Sequence, residues 1–294
     1  MVDIKNFLAK YQGKKIKYVP NQGNAGDSFI ALATLQVFDE LGLDYEICKP
    51  TEVFEDQIIL YGGGGSLIRK YNRCRNFLLY NQEKNDIVIL PHSFNDIDPL
   101  LAVLSEKVIL IARENISYDY IKSKSKHPDN CLLSGDMAFY IKNIDRYKNT
   151  SCIGECNAFR FNDELSNSDK HIEVPEDNKD ISVDFHRPIF MKNWHLSGGI
   201  NAHFTEFGLG VSAKEVKKNL SVATDNIFSY LSKFQIVNTN RLHVGIAAAL
   251  LGKTVNLYRG SYHKIAGIYE FSIAGKFDNV VFHNNNPHDA TGLT

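Results

Sequence analysis

Hydrophobic positions in this chain come in short runs separated by polar turns. Apolar stretches rich in β-branched and aromatic residues recur at residues 16–19, 45–47, 58–61, 87–90, 108–112 and 131–133. Each ends at Gly, Pro or polar residues, the pattern of buried strands bounded by turns. Residues 28–41 follow a different period: Ile30, Ala33, Val37 and Leu41 share one helical face, and Gly42 stands where a helix closes. Strands alternating with helical segments predict a parallel α/β sheet.

After Ile141 the polar run at 142–151 interrupts the alternation and reads as a linker. The pattern then restarts, with strands expected at 153–159, 181–183, 235–237, 254–257 and 280–282 and helices at 213–233 and 244–251. Residues 162–179, rich in Asn, Asp, Glu and Ser, read as a loop. The expected fold class is α/β, two Rossmann-like domains facing a cleft, spanning residues 1–148 and 149–294.

Composition narrows the function. A hydrophobic content of 44% and a charged content of 23% describe an ordinary globular protein. The net charge of -1 gives no global attraction to nucleic acid or anionic membrane, so any basic site must be local. The N-terminal residues lack the apolar core of a signal peptide and no run approaches about 18 apolar residues, so the expected location is the cytoplasm. The 5 cysteines are odd in number and scattered, which suits reduced thiols. Cys152 and Cys156 lack a second pair, and His186, His195 and His203 lack the spacing of a helix-borne metal pair, so no metal is expected.

Parallel sheets bind ligands beyond the carboxyl ends of their strands, which makes the turns there the places to search. Gly23-Asn24-Ala25-Gly26-Asp27 follows the first strand; Asp27 could cap the next helix or accept a proton from a substrate hydroxyl. Gly62 to Gly65 form an unbroken glycine run, which suits a close backbone approach; Ser66 follows, without the Gly-Lys-Ser/Thr ending of a phosphate loop. Arg69, Lys70, Arg73 and Arg75 come next and suit either a phosphate-bearing acceptor or a solvated helix face. Pro91-His92-Ser93, Arg113-Glu114 and Gly135-Asp136 follow later strands. In the second half Arg160, Asn240-Arg241-Leu242-His243 and Lys264 put a cation at one turn after another. Guanidinium groups clamp phosphate or carboxylate, and an imidazole gives or takes a proton near neutrality. The plainer reading of Arg241 and His243 is a helix start whose Arg caps a carbonyl and whose His fills the core.

Taken in order, Gly-Asn-x-Gly-Asp at 23–27, the glycine run, Pro-x-Ser at 91–93, Arg-Glu at 113–114, Asp-Met-Ala-Phe at 136–139, Arg160 with Asp163-Glu164, Arg-Leu-His at 241–243 and Ser-Tyr-x-Lys at 261–264 resemble the polysaccharide pyruvyl transferase family. The likeness spans roughly residues 14–272; His92 stands where Gln is usual and His263 where Gly is usual. It implies a GT-B-like pair of domains and phosphoenolpyruvate as donor, with no metal or other cofactor required. The product would be a pyruvate ketal on two hydroxyls of a sugar. A lipid-linked acceptor would add peripheral contact with the inner face of the membrane. By this resemblance Arg160 and Arg241 hold the donor's phosphate and carboxylate and His243 is the catalytic acid. Asp27 is expected to take the attacking hydroxyl's proton, Asn240, Leu242 and Lys264 are expected on the donor side, and Asn24, Gly63, Gly64, Gly65, His92, Ser93 and Arg113 on the acceptor side. Two other classes fit the same architecture: a nucleotide-sugar glycosyltransferase, for which Glu215 or Glu270 would have to meet a ribose, and a non-catalytic phospho-sugar-binding protein.

Overall fold

The computed structural model describes residues 1–148, 151–160, 177–178, 213–260 and 263–284. The strand expected at 181–183 lies outside them, as do Asp163, Glu164, Ser261, Tyr262 and the side chain of Glu215. Two compact units form. The first contains residues 1–23 and 27–141 and the start of helix Ala213–Leu231 up to Leu220; the second contains Asn24–Gly26 and the other described residues from Lys142 onward.

The first unit is a parallel sheet. Its strands are β1 (Lys15–Val19), β2 (Asp44–Ile47), β3 (Ile58–Tyr61), β4 (Gly64–Ile68), β5 (Asp86–Asn95), β6 (Val108–Ala112) and β7 (Cys131–Leu133), in the order β2-β1-β3-β5-β6-β7 with β4 paired to β5. Helices α1 (Ile4–Ala9), α2 (Ala25–Glu40), α3 (Arg73–Asn81), α4 (Asp98–Leu101) and α5 (Asn115–Lys124) connect them. α2 is buried on more than the face its periodicity predicts, because Phe29, Leu35 and Phe38 are enclosed along with Ile30, Ala33 and Val37. Each such large side chain contributes about 1.5–3 kcal/mol of burial. The helix closes as expected: Gly42 takes a left-handed φ of 64°, and the Leu43 amide donates to the Phe38 carbonyl at 3.0 Å.

β5 is longer than the expected 87–90 because it has two successive partners on one side. β3 pairs with Asp86–Ile89, and β4 then pairs with His92–Asn95. Pro91 has no amide hydrogen, and the register to β6 shifts between Ile89 and His92. His92 and Ser93 are therefore strand residues, and a glycine run that reads as a turn opens a strand.

The second unit is a parallel sheet of β8 (Glu155–Ala158), β9 (Ile236–Thr239), β10 (Thr254–Tyr258) and β11 (Val280–His283), ordered β11-β10-β9-β8. α6 (Ala213–Leu231) leads into β9, α7 (Leu242–Leu250) joins β9 to β10, and α8 (Lys264–Ile268) follows β10. A Cβ on Gly245 would stand 2.9 Å from Leu257 Cδ1, so glycine there lets α7 lie close against β10. Both units are thus Rossmann-like in their parallel, helix-connected strands.

Candidate active site

In the second unit β8 and β9 end side by side, Ala158 opposite Thr239. Thr239 Oγ1 donates to the Ala158 carbonyl at 2.7 Å and accepts from the Arg241 amide at 3.0 Å. Asn240 Oδ1 accepts from the Arg160 amide at 2.7 Å, and its Nδ2 donates to the Arg160 carbonyl at 3.2 Å. Asn178 grips Phe159 in the same way, accepting at 2.7 Å and donating at 3.3 Å. These neutral side chains fix two adjacent turns and so bring Arg160 and Arg241 to neighbouring strand ends. Asn240, expected to touch the donor, has both ends of its amide on the Arg160 backbone and acts here as a positioning residue.

Arg241 is the N-cap of α7 and is only 7% exposed. Leu242 begins the helix with its side chain buried, leaving its backbone as the part that a ligand could meet. His243 is half-buried and is the second residue of α7, which begins two residues earlier than the periodicity predicts. The amino end of α7 carries free N–H groups and a partial positive charge, which favour an anion. Lys264 opens α8 beyond β10, the strand next to β9.

The first unit positions a carboxylate. Asn24 Oδ1 accepts from the Gly26 amide at 2.8 Å, so Asn24 takes the capping place and Asp27 falls within the first turn of α2, half-buried. Asn21 Nδ2 donates to Asp27 Oδ1 at 3.1 Å, and Ser66 Oγ donates to Asn21 Oδ1 at 2.6 Å. Glycine lets the chain pass close to this carboxylate: a Cβ on Gly23 would lie 1.9 Å from Asp27 Oδ2, and one on Gly64 would lie 2.4 Å from Asn21 Nδ2. Gly63 backs onto the Pro91 carbonyl, where a Cβ would come within 2.6 Å, and Gly65 is half-buried in β4. The close backbone approach expected of the glycine run is made by the protein's own Asn21, Asp27 and Pro91.

Three residues expected to bind the acceptor are buried within the first unit. His92 and Ser93 are fully enclosed and Arg113 is 1% exposed, because β4 covers the extended β5. His92 Nε2 accepts from the Ser66 amide at 2.8 Å and the Leu67 amide at 3.2 Å, which leaves the ring proton on Nδ1. Burial, helped by the Arg113 charge, pushes its pKa down to about 3, so the ring stays neutral. Arg113 donates to Ser93 Oγ at 2.9 Å and pairs with the equally buried Asp136 at 2.7 Å. Asp136 also accepts from the Ala138 amide at 2.8 Å.

The chain His92, Ser66, Asn21, Asp27 was only partly visible in the sequence. Nothing there links Asn21 to Ser66; the one available signal was a polar pair, Asn21-Gln22, directly after a strand.

A family model described as polysaccharide pyruvyl transferase matches residues 24–257. The chain belongs to this family. Membership brings pyruvyl transfer onto polysaccharide as the family's activity, and the matched stretch contains Asp27, Arg160, Arg241 and His243 but stops short of Lys264. A crystal structure of a functionally uncharacterised protein from Klebsiella pneumoniae subsp. pneumoniae NTUH-K2044 is similar to this pyruvyl transferase family member, with 28% identity and a TM-score of 0.73 over 97% of this chain and 100% of that one. No curated protein matches. Among the described residues, no helix is long and apolar enough to cross a membrane.

Proposed function

We propose that the protein transfers the pyruvyl group of phosphoenolpyruvate onto two hydroxyls of one sugar in a polysaccharide or its lipid-linked precursor, closing a cyclic ketal and releasing phosphate. The observation that carries this reading is the Asn240 clip, which brings Arg160 and Arg241 to adjacent strand ends with His243 at the start of α7. Two guanidinium groups beside a helix amino end suit a donor that bears both a phosphate and a carboxylate.

Protonation of the donor's methylene carbon by His243 forms a C–H bond and leaves an oxocarbenium-like centre at the adjacent carbon. A sugar hydroxyl bonds to that carbon and its proton passes to Asp27. The second hydroxyl then bonds to the same carbon as the carbon–oxygen bond to phosphate breaks, phosphate taking the electron pair and the second proton. Proton transfers and substitution complete the reaction, so no redox cofactor is needed. Arg160 and Arg241 neutralise the donor and hold it in register.

Incubation with phosphoenolpyruvate and a panel of sugar acceptors tests this by mass spectrometry for the added pyruvyl mass, with phosphate release measured alongside. Phosphoenolpyruvate should raise the melting temperature, and uridine or guanosine nucleotides should not. Arg241→Ala should weaken the donor's effect by about 10- to 100-fold in Kd, the scale of a lost charge-assisted contact. Stabilisation by a nucleotide in place of phosphoenolpyruvate would sink the reading in favour of a glycosyltransferase.

A further inference from the structure

The loop from β1 to α2 carries a second buried amide beside Asn21. Gln22 is 9% exposed, yet neither its Oε1 nor its Nε2 has a hydrogen-bond partner. Its neighbour Asn21 uses both ends of its own amide, on Asp27 and Ser66. A buried amide with both ends unmatched is costly to the fold, and its presence needs a reason.

Gln22 lines a small crevice with Asn21, Gly23, Asp27 and Ser28 on one side and Pro20, Ala31 and Leu220 on the other. It encloses about 220 Å³, part of it open to solvent. That figure counts open solvent; the enclosed space is about the size of one water, so the crevice admits the edge of a ring and not a whole ring. Among the described residues that line it, Asp27 alone is charged, a carboxylate that disfavours phosphate and carboxylate ligands. An ammonium group would suit Asp27 but would offer no acceptor to Nε2. Two neighbouring hydroxyls match the amide completely, one donating to Oε1 and the other accepting from Nε2. The apolar side gives the C–H face of the ring a surface to lie against.

We propose that Gln22 is a specificity-determining residue of the acceptor site, its side-chain amide holding a pair of adjacent hydroxyls on the sugar. That the sugar is then pyruvylated rests on the function proposed above; that a diol binds here does not. The family match begins at Asn24, so Gln22 is an assignment from this chain's own geometry.

The test uses the full chain, the methyl glycosides of glucose, galactose and mannose, and saturation-transfer NMR in the absence of phosphoenolpyruvate. At least one glycoside should bind, and Gln22→Leu should raise its Kd by about tenfold or more, the effect of stranding substrate hydroxyls against an apolar group. The same variant should melt no lower than the wild type, because it removes an unmatched buried amide. Gln22→Asn, which keeps the amide but shortens its reach, covers the case in which leucine fails to fold. Binding of no glycoside to the wild type, equal binding by the variants, or a lower melting temperature for folded Gln22→Leu would overturn the proposal, the last result marking an amide satisfied by ordered water. Glycoside binding that depends on Gln22, with no phosphate released from phosphoenolpyruvate, would remove the donor reading and leave the diol site standing.

Discussion

At the carboxyl edge of the first sheet the ionisable side chains answer one another inside the protein: Arg113 pairs with Asp136, and Asp27 is held by Asn21, itself held by Ser66. At the corresponding edge of the second sheet the turns are shaped by neutral groups, Thr239, Asn178 and Asn240, acting on the backbone. The contrast separates two ways of presenting charge. In the first unit charged residues are part of what keeps the framework folded, and a carboxylate is the group presented. In the second unit neutral side chains set the turns that carry Arg160 and Arg241, and the residues so placed are cations. Substitutions should accordingly divide into those that stop the chemistry and those that loosen the fold.

The largest expected effect falls in the second unit. His243→Gln should lower kcat by about 10²- to 10⁴-fold, the usual weight of a general acid, while the melting temperature stays close to that of the wild type. Phosphate release and a thermal melt measure the two quantities; full turnover with intact donor binding would refute the acid role. Next comes the first unit's buried pair. Arg113→Met leaves Asp136 enclosed without its partner and should cost about 3–5 kcal/mol, read from the midpoint of urea denaturation. A loss of turnover without loss of stability would mean that the contrast between the units is wrong.

The smallest effect, taken over a single pH unit, concerns His92. His92 is held near 3 in the folded chain against an ordinary 6.5, so between these values the unfolded chain binds the proton that the folded chain refuses. Stability should therefore fall as pH drops below about 6.5, with a contribution from this residue of at most about 1.4 kcal/mol per pH unit, ending near pH 3. His92→Gln supplies a carbonyl that can accept from the Ser66 and Leu67 amides and does not titrate. Denaturation at several pH values should show a shallower slope in the variant; an unchanged slope would show that other groups dominate.

Much of this was legible in the chain itself. The strands at 58–61, 108–112 and 131–133 have the bounds that periodicity predicts, and α2, α6 and α7 lie where helical spacing placed them. The turns of Arg160 and Arg241 were also visible, because each lies two residues past a strand end and the fold class fixes which end of the strand binds. His92 and Ser93 stood beyond the strand expected at 87–90; β5 runs on to Asn95 because it pairs with β4, a contact between distant segments. The glycine run was correctly read as needing close approach, but what approaches it is Asn21 and Asp27.

The sequence by itself determined the alternation of strands and helices, the family pattern and the types of charged residue at the strand ends, since side-chain period and turn chemistry act over a few neighbouring residues. Only the tertiary structure decided which polar groups are satisfied. Asn21 and Gln22 are adjacent amides that local rules treat alike; one is matched at both ends by Asp27 and Ser66 and the other is enclosed with neither end matched. Burial and hydrogen-bond geometry depend on segments far apart in the chain, and that dependence is why the diol site at Gln22 emerged from the fold and not from the order of residues.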